Sequence, residues 1–291
     1  MKLAALVLTV LAFPAEAEKA VQHHILLTEY GNKGKNRLVE VDQTGRMVWQ
    51  HTPPSTAVVF QVQPNGNVVY GYGGNPTGVR EVTKAGTEVW NYVSKCPQVL
   101  GFERLANGNT LIAEQGPPQA VEVNAKGEVV RTTLLTTTEK HFHRQVRRVH
   151  KLGNGNILAA HEGEGAVREY LPDGKVVWEY SGVDSVFDAM RLPNGHTVIS
   201  CGEQKRVIEV DRAKQIVWQF TAADGPDLNL AWTTSLQRLR NGNLVIGNFI
   251  RGHEGQGAHA FEVTRKKKVV WKWGDHEMVR SSTMVYVMDG R

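Results

Sequence analysis

The side chains able to do chemistry gather in two stretches. The first, Thr132 to Val146 and just beyond, holds His141, His143, Arg144, Arg147 and Arg148, with His150 and His161 further on. The second, Gly247 to Gly257, carries Asn248, Arg251 and His253, with His259 after it. Guanidinium groups fork onto carboxylate, sulfate or phosphate, and imidazole moves protons or binds metal near neutral pH. Recognition of an anion is therefore the expected chemistry. His143, His150 and His253 are the candidate acids or bases, and Arg147, Arg148, His161, Asn248, Arg251 and His259 the candidate ligand contacts. Asp188 joins them as a possible base, and Trp232 as an apolar wall. The competing reading is two surface loops with solvated His and Arg side chains.

Other chemistries lack their residues. No Gly-x-Ser-x-Gly elbow, Walker phosphate loop or His-x-Glu-x-x-His pattern is present. His141-Phe142-His143 offers only alternate imidazoles, so no metal and no cofactor is expected. The formal charge of +5 and pI near 9.1 favour anionic partners, but no RNA-recognition or helix-turn-helix pattern accompanies them. Nucleic acid is not an expected partner.

What must position these groups is a repeat. The phrases Pro64-Asn65-Gly66-Asn67, Ala106-Asn107-Gly108-Asn109, Gly153-Asn154-Gly155-Asn156, Pro193-Asn194-Gly195-His196 and Arg240-Asn241-Gly242-Asn243 recur at spacings of 42, 47, 40 and 47 residues. Asn-Gly between alternating apolar runs predicts a hairpin with a type I′ turn, joining strands a and b. A Glu then marks strand c (Glu40, Glu81, Glu122, Glu169, Glu209, Glu262), and a Val-Trp pair marks strand d, with Arg131 in place of the third Trp. Four antiparallel strands per unit, repeated, make the blade of a β-propeller.

The ends set the blade count. The N-terminal unit, from His24 to Trp49, lacks strand a, whereas Ser282 to Met288 reads as a strand a with nothing after it. Joined, they complete a sixth blade and remove the free sheet edges of an open array. The expected fold is all-β: a six-bladed propeller closed by its C-terminal strand. Trp49, Trp90, Trp178, Trp218 and Trp271 are expected to dock neighbouring blades, and Arg104, Lys151, Arg191 and Arg238 to pair with the strand-c Glu residues. Arg265-Lys266-Lys267-Lys268 reads as a solvated turn. Function is expected on the face of the b–c and d–a loops, where the copies differ.

The phrase from Asp42 to Trp49, a Gly turn followed by Trp, resembles the quinoprotein-type (PQQ-like) propeller superfamily. Leu192 to Thr197 is also similar to arylsulfotransferase-like and NHL-type propellers. These resemblances imply architecture before chemistry. Six blades, without an adjacent cysteine pair or a calcium-ligand cluster, predict no bound quinone. The positions where the arylsulfotransferase-like pattern implies histidine are read as Phe187 and Thr233 here.

Lys2, the apolar run Leu3 to Phe13 and Ala15-Glu16-Ala17 read as a signal peptide over residues 1–17, followed by a single domain over 18–291. A periplasmic or secreted, monomeric protein with no integral membrane segment after cleavage is expected. Cys96 and Cys201 fall in different repeats and are read as thiols. The sequence thus points to a binding or scaffolding propeller for a small anionic ligand or a protein partner. The alternative is an enzyme resembling arylsulfotransferases or lyases, with His acid or base groups at the channel mouth.

Overall fold

The computed structural model describes residues 22–32 and 35–289; the expected signal peptide lies outside them. Among the described residues, twenty-four strands form six four-stranded antiparallel sheets arranged as a ring. Blade 1 combines β24 (Val285–Val287) with β1 (Ile25–Asn32), β2 (Lys35–Val41) and β3 (Met47–His51). Blade 2 runs from β4 (Ala57–Val62) to β7 (Glu88–Val93), blade 3 from β8 (Val99–Arg104) to β11 (Val129–Leu134), and blade 4 from β12 (Arg148–Lys151) to β15 (Val176–Ser181). Blade 5 spans β16 (Val186–Arg191) to β19 (Ile216–Thr221), and blade 6 β20 (Thr233–Arg238) to β23 (Val269–Trp273).

The closure is the one expected from the ends. Leu27 pairs with Val285 and Ile25 with Val287, and backbone bonds from Thr28 to Met284 and from Tyr30 to Ser281 extend the seam beyond β24.

The Asn-Gly hairpins differ from expectation. Positive φ falls on the glycine alone, between +86° and +87° at Gly66, Gly108, Gly155, Gly195 and Gly242, and not on the preceding Asn. Each loop is a turn closed by the N–H of that glycine to the carbonyl three residues back, the glycine itself forming the bulge, rather than type I′. The Asn has another use: Asn65, Asn107, Asn154, Asn194 and Asn241 each accept the N–H two residues on through the side-chain oxygen.

The apolar core lies in layers between blades, such as Leu26, Phe60, Tyr70 and Phe102 across blades 1 to 3. At the rim, Trp49, Trp178 and Trp218 donate their indole N–H to the next blade at the carbonyls of Lys84, Arg212 and Arg265. Arg104, Lys151 and Arg191 pair with Glu81, Glu122 and Glu169 of the preceding blade, as expected. Arg238 does not. Its place on Glu209 is taken by Arg265, 2.6 Å away, which also stacks on Trp218. The basic turn is therefore partly engaged with its neighbour, not simply solvated, because the ring presses that turn against blade 5.

Innermost strands are clasped as well. Gln61 brackets the backbone of Arg104, Gln237 that of Val287, Glu103 accepts from the N–H of Lys151, and Asp188 from that of Leu236. Each clasp reaches from one blade to the next.

Candidate functional site: the channel mouth

Two buried amides fix the loop that enters blade 4. Gln115 brackets Val146, donating to its carbonyl at 2.6 Å and accepting its N–H at 3.1 Å. Gln145 accepts the N–H of Gly116 and donates to the carbonyl of Glu139. Between these anchors lies a short 3-10 turn, Phe142–Arg144, that delivers His143 to the channel.

The His143 tautomer follows from its neighbours. Arg147 Nη2 donates to His143 Nε2 at 3.0 Å, and arginine can only donate, so the imidazole proton sits on Nδ1 and faces Gln98 Oε1 at 2.8 Å. Burial and then the Arg147 charge lower the His143 pKa to about 4, leaving it neutral at pH 7. Arg147 also pairs with Glu162 through Nε and lies over the Phe187 ring, 5.6 Å from its centroid. Its position is thereby fixed, and among the described residues Nη1 has no protein partner.

Across the mouth, blade 6 uses one buried residue as a brace. Asn248 accepts the N–H groups of Ala231 and Trp232 at 2.9 and 3.2 Å and donates to the carbonyl of Ala258 at 2.8 Å. It sets where Trp232 stands and where the loop carrying Arg251 departs. The Trp232 indole lies directly on Gly202, where an added Cβ would come within 1.8 Å of Nε1.

Together these residues enclose a cavity of about 330 Å³ that blades 1, 2, 4, 5 and 6 line. Blade 3 borders it through Gln98, whose Oε1 accepts from His143 Nδ1. Its cations are Arg144, Arg147 and Arg251, and its carboxylates Glu162 and Glu203. Glu162 serves Arg147 and lies 3.7 Å from Arg144. Arg251 and Glu203 are exposed and make no hydrogen bond or ion pair among the described residues. Tyr30 and Phe249 meet edge-on at 5.5 Å on the rim.

The structure thus brings His143, Arg147, Trp232 and Arg251 to one cavity. Other expected residues lie elsewhere. Arg148 and His150 turn to Asp188, at 3.3 and 3.4 Å, and His150 Nδ1 lies 3.7 Å from Glu103. Burial alone would lower the His150 pKa, but its hydrogen bonds to Asp188 and Glu103 raise it to about 9. Burial alone would raise the Asp188 carboxyl, but Arg148 and His150 pull it below the usual range. This strand-a cluster ties blades 3, 4 and 5 together. His161 is fully buried, bonds Tyr170 at 2.9 Å, and has its pKa lowered by burial to about 3. His259 is buried 5.4 Å from the Trp273 ring and 4.8 Å from His276. His253 is exposed on the blade 6 loop and does not line the cavity. Glu162, Glu203, Phe249 and Tyr30 are lining residues that sequence reasoning missed. The signal for the two carboxylates was their place in the short b–c turns, where blades 2 and 3 carry Gly73-Gly74 and Gln115-Gly116.

No group of three or more His, Cys, Asp or Glu side chains able to hold a metal occurs among the described residues. A metal-bridged quinone would find no ligand set for its ion here, and no step is assigned to one. No helix among the described residues is long and apolar enough to cross a membrane.

The fold and its Gly-turn-Trp blades define the class: a six-bladed propeller of PQQ-like repeats. Residues 16–219 match the family described as outer membrane protein assembly factor BamB, and the chain belongs to that family of PQQ-like propellers. The match ends before blade 6, so Trp232, Phe249 and Arg251 lie beyond it. No curated protein matches the sequence at a significant level. Among solved structures, a protein of unknown function from Bacteroides caccae is similar at 25% identity and TM-score 0.80, over 91% of this chain and 98% of that one. A catalytically inactive virginiamycin B lyase from Staphylococcus aureus with quinupristin aligns at 10% identity and TM-score 0.59, over 87% and 84% of the two chains. The WD40 propeller domain of Doa1 aligns at 16% identity and TM-score 0.59, over 77% and 71%. These last two show the fold alone.

Proposed function

We propose that the protein is an exported binding propeller that holds a small ligand by its anionic group at the channel mouth. One observation carries the reading: Arg251, a cation without a protein partner among the described residues, lines the same cavity as Arg147, whose guanidinium is locked in place with Nη1 unused by them. A fixed guanidinium loses little freedom on binding an oxyanion, and cavities of about 300 to 1,000 Å³ suit small molecules. The export half rests on the sequence of residues 1–17, and fractionation of the expressing cells tests it.

The acid–base alternative draws less support. His143 Nε2 is already occupied by Arg147, His150 is held between two carboxylates, and His253 stands outside the cavity. Calorimetric titration with carboxylate, sulfate and phosphate compounds tests the binding reading. At least one should bind, with affinity that falls as salt rises and is lost in Arg251→Ala. If none binds, or if the variant binds equally well, the site does not recognise anions.

A further inference from the structure

The charges left unused at the mouth come in opposite signs. Glu162 is taken up by Arg147 and Arg144, which leaves Arg251 on blade 6 and Glu203 on blade 5 without partners among the described residues. A plain anion bound at Arg251 would meet repulsion from the Glu203 carboxylate. A ligand that also carries a cation would use both. The same cavity is lined by the rings of Phe187, Trp232, Phe249 and Tyr30, none of them part of the repeated phrase. A flat apolar body gains most from such walls, by area and by ring contact. The space, about 330 Å³, would hold roughly ten waters, which a bare oxyanion leaves mostly unfilled.

We infer that the ligand is a zwitterion with an aromatic body, of the chemistry of an aromatic α-amino acid, its carboxylate on Arg251, its ammonium on Glu203 and its ring against Trp232 and Phe187. The inference rests on the anion-binding reading above and specifies which anion the cavity selects. Trp232 is held at the wall by the Asn248 brace and by the absence of a side chain at Gly202. Selection is a matter of complementarity: removing either ligand charge leaves an exposed protein charge unpaired, and removing the ring leaves the walls wet.

Four probes separate the parts: phenylalanine, 3-phenylpropionate without the ammonium, phenethylamine without the carboxylate, and alanine without the ring. In calorimetry at low salt, phenylalanine should bind about two- to fivefold more tightly than 3-phenylpropionate or phenethylamine, the size expected for one exposed charge pair, and more tightly than alanine, which lacks the ring. Glu203→Gln should bring phenylalanine and 3-phenylpropionate to the same level, weakening the first and, by removing the repulsion, strengthening the second. Arg251→Ala should weaken both. If 3-phenylpropionate equals phenylalanine, or Glu203→Gln leaves their ratio intact, the zwitterion inference fails although the anion site stands. If neither carboxylate binds, and no other anion does, both fail together.

Discussion

Each strand-c glutamate is a hub that explains several repeated residues at once. Glu169, 2% exposed, accepts from Asn154 and Asn156 of its own hairpin and from Arg191 and Arg212 of the next blade. Both guanidiniums also lie over Trp178, at 4.7 and 5.8 Å from its ring. Burial alone would raise the Glu169 carboxyl, but these donors hold it below the usual carboxylate range. Glu169→Ala should therefore lower stability by about 3 kcal/mol, the scale of removing one partner from a buried ion pair. Denaturant unfolding checks this, and a loss under about 0.5 kcal/mol, typical of surface changes, would show that the hub is not structural. These residues were legible because the ring repeats their surroundings. Glu203 and Phe249 were not, since each occurs once and acquires meaning only when distant blades meet at the mouth.

At the scale of elements, strand order and the Asn-Gly hairpins could be read from alternation and spacing, whereas turn type could not. Asn in these loops bonds the N–H two residues on, a use that a preference for positive φ does not reveal. The loops at the mouth were visible only as departures from the repeat. Their shape depends on Gln115, Gln145 and Asn248, buried amides that stand in for strand partners and carry no pattern in sequence. Arg148 and His150 were expected at the mouth, but strand alternation and the buried Asp188 carboxylate turn them to the channel wall. The closing strand β24 is the element on which the ring depends. Removing residues 281–291 deletes its pairing with β1 and the Gln237 clasp on Val287, and so uncovers a row of buried apolar side chains at Ile25, Leu26 and Leu27. Aggregation, or a fall of many degrees in melting temperature, is the expected result in light scattering and thermal unfolding. A monomeric truncated chain that melts as before would contradict closure by β24.

For the molecule as a whole, the ring's buried imidazoles make its stability depend on pH in a direction that can be worked out. His161 in blade 4 and His259 in blade 6 are fully buried, and burial lowers their pKa values to about 3 and about 4. His143 is held near 4 by burial and Arg147. Unfolded, each takes up a proton near its ordinary pKa of about 6.5. Between pH 6.5 and about 4 the unfolded chain thus binds protons that the folded chain refuses, and stability falls as pH falls. His150 acts in the opposite sense. Its folded pKa of about 9 means that its charge contributes fully below about 6.5, and that this contribution is lost as pH rises through 9. The lowered carboxylates, Asp188, Glu103 and Glu169 among them, lose their contribution only below about pH 4, in the range of unperturbed acids. The two limbs place the melting temperature at its highest near neutral pH, with an acid limb that begins near 6.5 rather than at the carboxylates. Thermal unfolding from pH 4 to 10 tests this, with His161→Gln as the control. That variant should melt lower at pH 7, because the buried Tyr170 contact changes, but its decline from pH 6.5 to 4.5 should be shallower by the share of one proton. A wild-type melting temperature that stays flat from pH 7 to 5 would show that these imidazoles are not held neutral by the fold.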